Sequence, residues 1–412
     1  MGFDVASEVG QLRRVILHRP GLELSRLTPS NCEALLFDDV LWASRAREEH
    51  DAFAADLRSR GVEVLYYAQL LAEALDDEEA REWAIERVLN ERTVGPSLVE
   101  PLQQLSWDSD GATLARYWIG GVVREDISNH PGGLLWSVLG DDEFVLPPLP
   151  NTLFTRDNSA WMYGGVTLNP MSKPARRREA IHTSVIYRWH PLFRDAYDKD
   201  DGFKVWLNGV DTPAGPATLE GGDALVVGNR TLLIGVSERT SPQAIEILAL
   251  RLIDAGRADR VIAVQLTQRR AFMHLDTVMT MVDRDAFVAY PGLVESVPSF
   301  TLTRPDPGGP LLVQRNERLA GALAEALEVD DLRILTADMD ARAAEREQWD
   351  DGNNFLALAP GVIVGYERNE RTNAMLRDHG VDVVGVAGSE LGRGRGGPRC
   401  MSCPIERDAL PG

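Results

Sequence analysis

The feature that most restricts the fold is an order of elements that recurs along the second half of the chain. Residues 224–227, a Gly228-Asn229 turn and residues 232–236 read as a hairpin; Ser241-Pro242 opens a helix to Gly256, and 260–266 is a strand. A second hairpin, 277–282 with 286–290, precedes a helix over 314–327 and a strand over 332–336. A third, 355–358 with 362–365, precedes a helix over 372–380 and a strand over 381–386. Near the start, strand 12–18, helix 40–59 and strand 62–67 supply part of another copy. Repeats of this kind stack to share a core, so one repeat-built α/β domain is expected. The close hairpins argue against a doubly wound parallel sheet.

The pattern breaks between about Leu71 and Leu139, where strand signals vanish and helical stretches such as 77–90 and 111–119 follow one another. Pro147-Pro148-Leu149-Pro150 then stiffens the return. The expected organisation is a catalytic domain of residues 1–70 and 147–412, with an inserted helical domain of residues 71–146.

Composition narrows the function. A net charge of −20 over 412 residues makes nucleic acid an unsuitable partner, since phosphate contacts need a basic face, and suits a cationic small molecule. Lysine occurs only as Lys173, Lys199 and Lys204, all in loop or surface contexts, which disfavours Schiff-base chemistry. Three cysteines, an odd number, point to a reducing cytoplasm and away from a disulfide framework. Met1-Gly2-Phe3-Asp4 has no leader character, and no apolar run is long enough to span a membrane.

The chemistry gathers at the end of the chain, in Gly392-Arg393-Gly394-Arg395-Gly396-Gly397-Pro398-Arg399-Cys400-Met401-Ser402-Cys403. Glycines allow close approach to a ligand, and nearby arginines favour a thiolate. A zinc site lacks a second Cys pair, a thioredoxin-type pair would need an early βαβ unit, and buried structural cysteines are the plain alternative. Three other stretches fall at strand ends or in loops: Asn151 to Asp157, Glu220-Gly221-Gly222-Asp223, and His274-Leu275-Asp276. Together they suit attack of a thiolate on a guanidinium carbon. Asp157 and Asp276 can grip the planar cation, His274 can move protons, Glu220 can orient His274, and Cys400 can be the nucleophile. In an extended segment Cys403 would face away from Cys400, since an odd step reverses side-chain direction.

Longer runs carry a family resemblance. Leu27-Thr28-Pro29-Ser30-Asn31-Cys32 with Leu36-Phe37-Asp38-Asp39, Asn151 to Asp157, Gly164 to Met171, Arg346 to Asn354 and the Gly-Arg-Gly-Gly-x-x-Cys-Met ending together resemble the arginine deiminase family of the guanidino-group modifying (pentein) superfamily. The resemblance implies a five-module α/β propeller of ββαβ repeats with an inserted α-helical bundle. It also implies hydrolysis of L-arginine to L-citrulline and ammonia through a Cys400–amidino intermediate, without metal or organic cofactor. It gives Cys400, His274, Asp157, Asp276 and Glu220 the catalytic roles. Arg176 and Arg239 are assigned to the substrate α-carboxylate, with Asn151 and Phe154 near its backbone end, and Arg395 is a gate held by Glu8. Cys403 and Cys32 match no catalytic position, and relatives vary at Pro398-Arg399. The expected partner is L-arginine, with no nucleic acid or membrane, in a cytoplasmic homo-oligomer. An amidinotransferase of the same superfamily and a non-catalytic arginine sensor are the alternatives.

Overall fold

The computed structural model describes residues 2–128, 132–211 and 215–410. Strand Leu12–Leu17 lies between the C-terminal strand Cys403–Arg407, antiparallel to it, and strand Glu63–Tyr66, parallel to it, with helix Ala43–Ser59 as the crossover. Both chain ends therefore share one sheet. The same order, an antiparallel pair followed by a helix and a parallel third strand, recurs in four more sheets. They begin at strands Ser159–Met162, Ala224–Gly228, Met279–Asp283 and Leu356–Ala359. Local chemistry explains the joints. Asn229 and Arg230 take positive φ (44° and 53°) in the turn before Thr231–Val236, as a tight hairpin requires. Ser241 Oγ caps helix Pro242–Asp254 by accepting from the Ala244 N–H, with Pro242 in the first turn.

The structure departs from the sequence reading at several places. Residues 314–316, expected to begin a helix, belong to or follow the edge strand Leu312–Arg315, and the helix is Leu319–Leu327. Strand Ser299–Thr303, helix Ala341–Trp349 and the whole unit from Ser159 to Asn208 were not expected. Helices begin at Tyr67, ahead of residue 71, and run through Tyr67–Leu75, Glu78–Val88, Pro96–Asp108 and Gly111–Gly120. Of the expected insertion, residues 129–131 lie outside the described residues. These helices have no separate core: Leu71, Leu98, Leu114 and Trp118 share one apolar cluster with Val166, Tyr187 and Leu232 of the sheets.

What positions the site is where the sheets start. Asp157, Glu220, Asp276, Asn354 and Cys400 each lie two to four residues ahead of the first strand of one of the five antiparallel pairs. The C-terminal strand holds the last of these loops, and its Ile405 is fully buried. Ile405→Ala should cost about 2–5 kcal/mol, the usual range for truncating a buried large aliphatic side chain. A lower urea midpoint at unchanged slope would register it.

Candidate active site

Hydrogen bonds join the five loops in a closed cycle. Gly222 N–H donates to Asp157 Oδ1 (3.2 Å), and Leu275 N–H to Asp223 Oδ1 (2.9 Å). Asn354 Nδ2 donates to the Asp276 carbonyl (3.0 Å), while its Oδ1 accepts from the Arg399 and Cys400 N–H groups (both 3.1 Å). Arg156 N–H closes the cycle on the Cys400 carbonyl (3.1 Å). Two glycines make this closeness possible. A Cβ at Gly222 would come within 2.6 Å of His274 Nδ1, and one at Gly397 within 2.7 Å of Asn354 Oδ1.

Within the cycle, every expected catalytic side chain is buried in one place. Asn354 Nδ2 also donates to Cys400 Sγ (3.1 Å), and Cys400 Sγ lies 3.6 Å from Asp276 Oδ2. His274 Nε2 bonds Glu220 Oε2 (2.9 Å), and its Nδ1 lies 3.7 Å from Asp157 Oδ1. Residues 398–401 form a turn, so Cys400 is not in extended backbone. Cys403 begins the following strand and packs in a different place, with Ser159 Oγ at 3.6 Å.

The carboxylates are held by arginines. Arg176 Nη1 donates to Asp157 Oδ2 (2.6 Å), and its other nitrogens fork onto Glu179 (2.9 and 2.9 Å) and reach the Asn151 and Phe154 carbonyls. Arg239 Nη1 donates to Glu220 Oε2 (3.1 Å). Arg399 Nη1 donates to Asp276 Oδ2 (2.7 Å), while Nε and Nη2 grip Glu8 (3.0 and 3.1 Å). Asp276 Oδ1 is buried and has no hydrogen-bond partner.

Arg176, expected at a ligand carboxylate, lines the cavity in front of Cys400 while donating to Asp157 and Glu179. One expectation changes. Glu8 does not hold Arg395, because both its oxygens are taken by Arg399. Arg395 instead lies over Trp349, its Cζ 3.5 Å from the ring centroid. Sequence reasoning missed Asn354 and the part Arg399 plays. A signal for Asn354 existed: it stands where the repeat pattern puts a site residue, just ahead of a hairpin.

The charges set the protonation states. Burial opposes the His274 cation, but Asp157, the Glu220 hydrogen bond and Asp223 outweigh it and push its pKa up to about 9. Burial likewise opposes the Glu220 anion, yet Arg239 and His274 draw its pKa down to about 2. Cys400 is pushed well up, first by burial and then by Asp276 and Asp157, with Arg399 pulling the other way. These shifts favour the thiol of Cys400 and the imidazolium of His274. Asp157, Glu220 and His274 are close enough for a three-ligand metal group. Arg176 and Arg239 on those same carboxylates would oppose a cation there.

The cavity in front of Cys400 is ≈ 20 Å³, lined by Asn151, Phe154, Arg239, His274 and Arg395 among others. A cavity of ≈ 680 Å³ lies elsewhere, beside Arg260, Arg315 and Glu325. It is open and its lining holds no cysteine or histidine, whereas the small cavity holds Cys400 and His274. Residues 27–41 cover it through Arg270–Asp38 (2.7 Å), Arg393–Asp39 (2.6 Å) and Asn151 Nδ2 to the Leu35 carbonyl (2.6 Å).

Titrating the His274 imidazole by NMR should give a midpoint near 9, and Glu220→Gln should lower it by removing a negative partner. The stability carried by the raised pKa is present below about 6.5 and lost as pH rises through about 9. A midpoint at 6.5 in the parent would break the assignment of Glu220 as its partner.

Comparisons with known proteins bear on the family and the fold. The family model for arginine deiminase matches residues 33–407. Among solved structures, dimethylarginine dimethylaminohydrolase from Pseudomonas aeruginosa, complexed with citrulline, is 15% identical at a TM-score of 0.52, covering 95% of this chain and 99% of that one. SxtG, an amidinotransferase from Microseira wollei, is 14% identical at 0.53, covering 99% and 98%. The N-terminal domain of ArgZ, a cyanobacterial arginine dihydrolase bound to substrate, is 13% identical at 0.53, covering 96% and 99%. At these identities the structures share a mixed α/β fold with this chain.

Proposed function

The chain belongs to the arginine deiminase family, and on that premise we propose that it hydrolyses L-arginine to L-citrulline and ammonia through an amidino adduct on Cys400. The observation that carries the reading is the pair of carboxylates beside the thiol. Asp157 and Asp276 each have one oxygen tied to a protein arginine, and Asp276 Oδ1 is free to accept from a ligand N–H. A guanidinium entering between them would be held in plane over Cys400 Sγ. Its positive charge would also offset the carboxylates that keep the thiol protonated.

With the cation in place Cys400 gives up its thiol proton to water, and Sγ forms a bond to the guanidinium carbon as the C=N π electrons move onto nitrogen. His274, with Nε2 tied to Glu220, delivers a proton from Nδ1 to one terminal nitrogen, and the C–N bond breaks to release ammonia. His274, now neutral, takes a proton from water, whose oxygen attacks the amidino carbon. The C–S bond breaks, leaving the ureido group of citrulline and restoring the Cys400 sulfur. Arg176 and Arg239 are the candidates for the α-carboxylate, joined by Arg395 on the same cavity wall, with Asn151 and Phe154 at the same end. The cycle of hydrogen bonds through five loops supports reading residues 1–70 and 147–412 as a five-module propeller with residues 71–146 inserted.

L-arginine as sole substrate should yield citrulline and ammonia; a requirement for an added amine acceptor would favour the amidinotransferase reading. Losing one charge partner of a buried cation costs about 3–5 kcal/mol. Asp157→Asn and Asp276→Asn should therefore slow turnover roughly 150- to 5000-fold. Less than tenfold in either would remove it from the grip. Acid quench during turnover, followed by mass analysis, should find the adduct on Cys400. Cys403→Ser should keep much of the activity, and an adduct on Cys403 would overturn the mechanism.

A further inference from the structure

Two buried groups of opposite charge near the site lack partners. Arg395 is 5% exposed, and all three of its guanidinium nitrogens are buried without a hydrogen-bond acceptor. Asp351 is 2% exposed, and both its carboxylate oxygens are buried without a donor. Buried polar groups in native proteins are nearly always bonded, so a vacancy at both calls for an account. The two face each other electrostatically. After burial, which pushes the Asp351 pKa up to about 7, Arg395 is the foremost charge acting on it. Asp351 is likewise the foremost charge supporting the Arg395 cation against burial. They are not in salt-bridge contact, because the guanidinium is stacked on the Trp349 ring at 3.5 Å. Arg395 lines the cavity in front of Cys400, and Trp349 closes helix Ala341–Trp349 two residues before Asp351.

We propose that Trp349 and Asp351 form a cradle for Arg395, making them positioning residues that select a substrate with an anionic head group. Trp349 fixes the plane of the guanidinium by stacking and cation–π attraction. Asp351 attracts the cation from the protein side without consuming its N–H groups, which stay free for an incoming carboxylate. A direct fork onto Asp351 would take two of the five guanidinium donors; no such bond is present, and the guanidinium lies over Trp349. The inference deepens the deiminase reading and rests on it.

Calorimetric binding to the Cys400→Ala protein separates the two. L-arginine carries the α-carboxylate and agmatine lacks it, while both present the guanidinium to Asp157 and Asp276. Adding Trp349→Leu or Asp351→Asn should weaken L-arginine about 5- to 30-fold, the span of a partly desolvated cation–π contact. Agmatine should stay within about twofold, which also reports that the guanidinium end is intact. In an Arg395→Ala background neither substitution should weaken L-arginine further, because both act through Arg395. Equal losses on the two ligands, or losses that persist without Arg395, would overturn the cradle. Trp349 is 45% exposed, so its variant tests the idea even if Asp351→Asn unfolds the protein. A Cys400→Ala protein that binds neither ligand would fell the deiminase reading and the cradle with it.

Discussion

Anions deprived of water set the terms for this site. An isolated buried carboxylate costs several kcal/mol and takes up a proton unless a cation answers it. Arg176 answers Asp157, Arg399 answers Asp276, and Arg239 with His274 answers Glu220. The contrast with carboxylates that no arginine touches is direct. Glu220 is held at about 2, whereas Asp223, which accepts from the Ser237 hydroxyl and the Leu275 amide and touches no arginine, rises to about 7. Asp351, with no hydrogen-bond donor, rises as far. The arginines thus keep charged acceptors in a dry pocket, and the cycle of loop hydrogen bonds keeps those acceptors in register.

That arrangement makes the thiol's ionisation depend on what occupies the pocket. Burial and three carboxylates, Asp276, Asp157 and Asp351, push the Cys400 pKa well up, and Arg399 alone pulls against them among the foremost influences. In the proposed reaction the positive charge of a cationic ligand would offset those carboxylates. The cover must also part for such a ligand, since the cavity has room for little more than a water. The cover's latches, Arg270–Asp38 and Arg393–Asp39, are part-exposed ion pairs. Pairs of that kind contribute about 0–1 kcal/mol each, small enough for binding to break.

Much of the fold was legible because turn chemistry is local. Gly228-Asn229 and Ser241-Pro242 declare a hairpin and a helix start without help from elsewhere. The unit from Ser159 to Asn208 was not, because strands Ser159–Met162 and Gly165–Leu168 are buried at every position and show no alternation of polar and apolar residues. Strand Leu312–Arg315 was misread for the opposite reason. All four of its residues are exposed, and only pairing with Ser299–Thr303 makes it a strand.

By itself the sequence determined the repeated unit and picked out the glycine-flanked Cys400 and the acids and histidine that the structure brings together. Those follow from residue type and local order. Only the tertiary structure decided which arginine faces which carboxylate. Arg176, on the cavity wall, took Asp157 and Glu179, Glu8 went to Arg399 and not to Arg395, and Asn354 became the bridge between Asp276 and Cys400. Long flexible cations can reach many partners from one position on the chain. Their choice is made by which carboxylate has lost its water, and that is known only once five distant loops have been brought together.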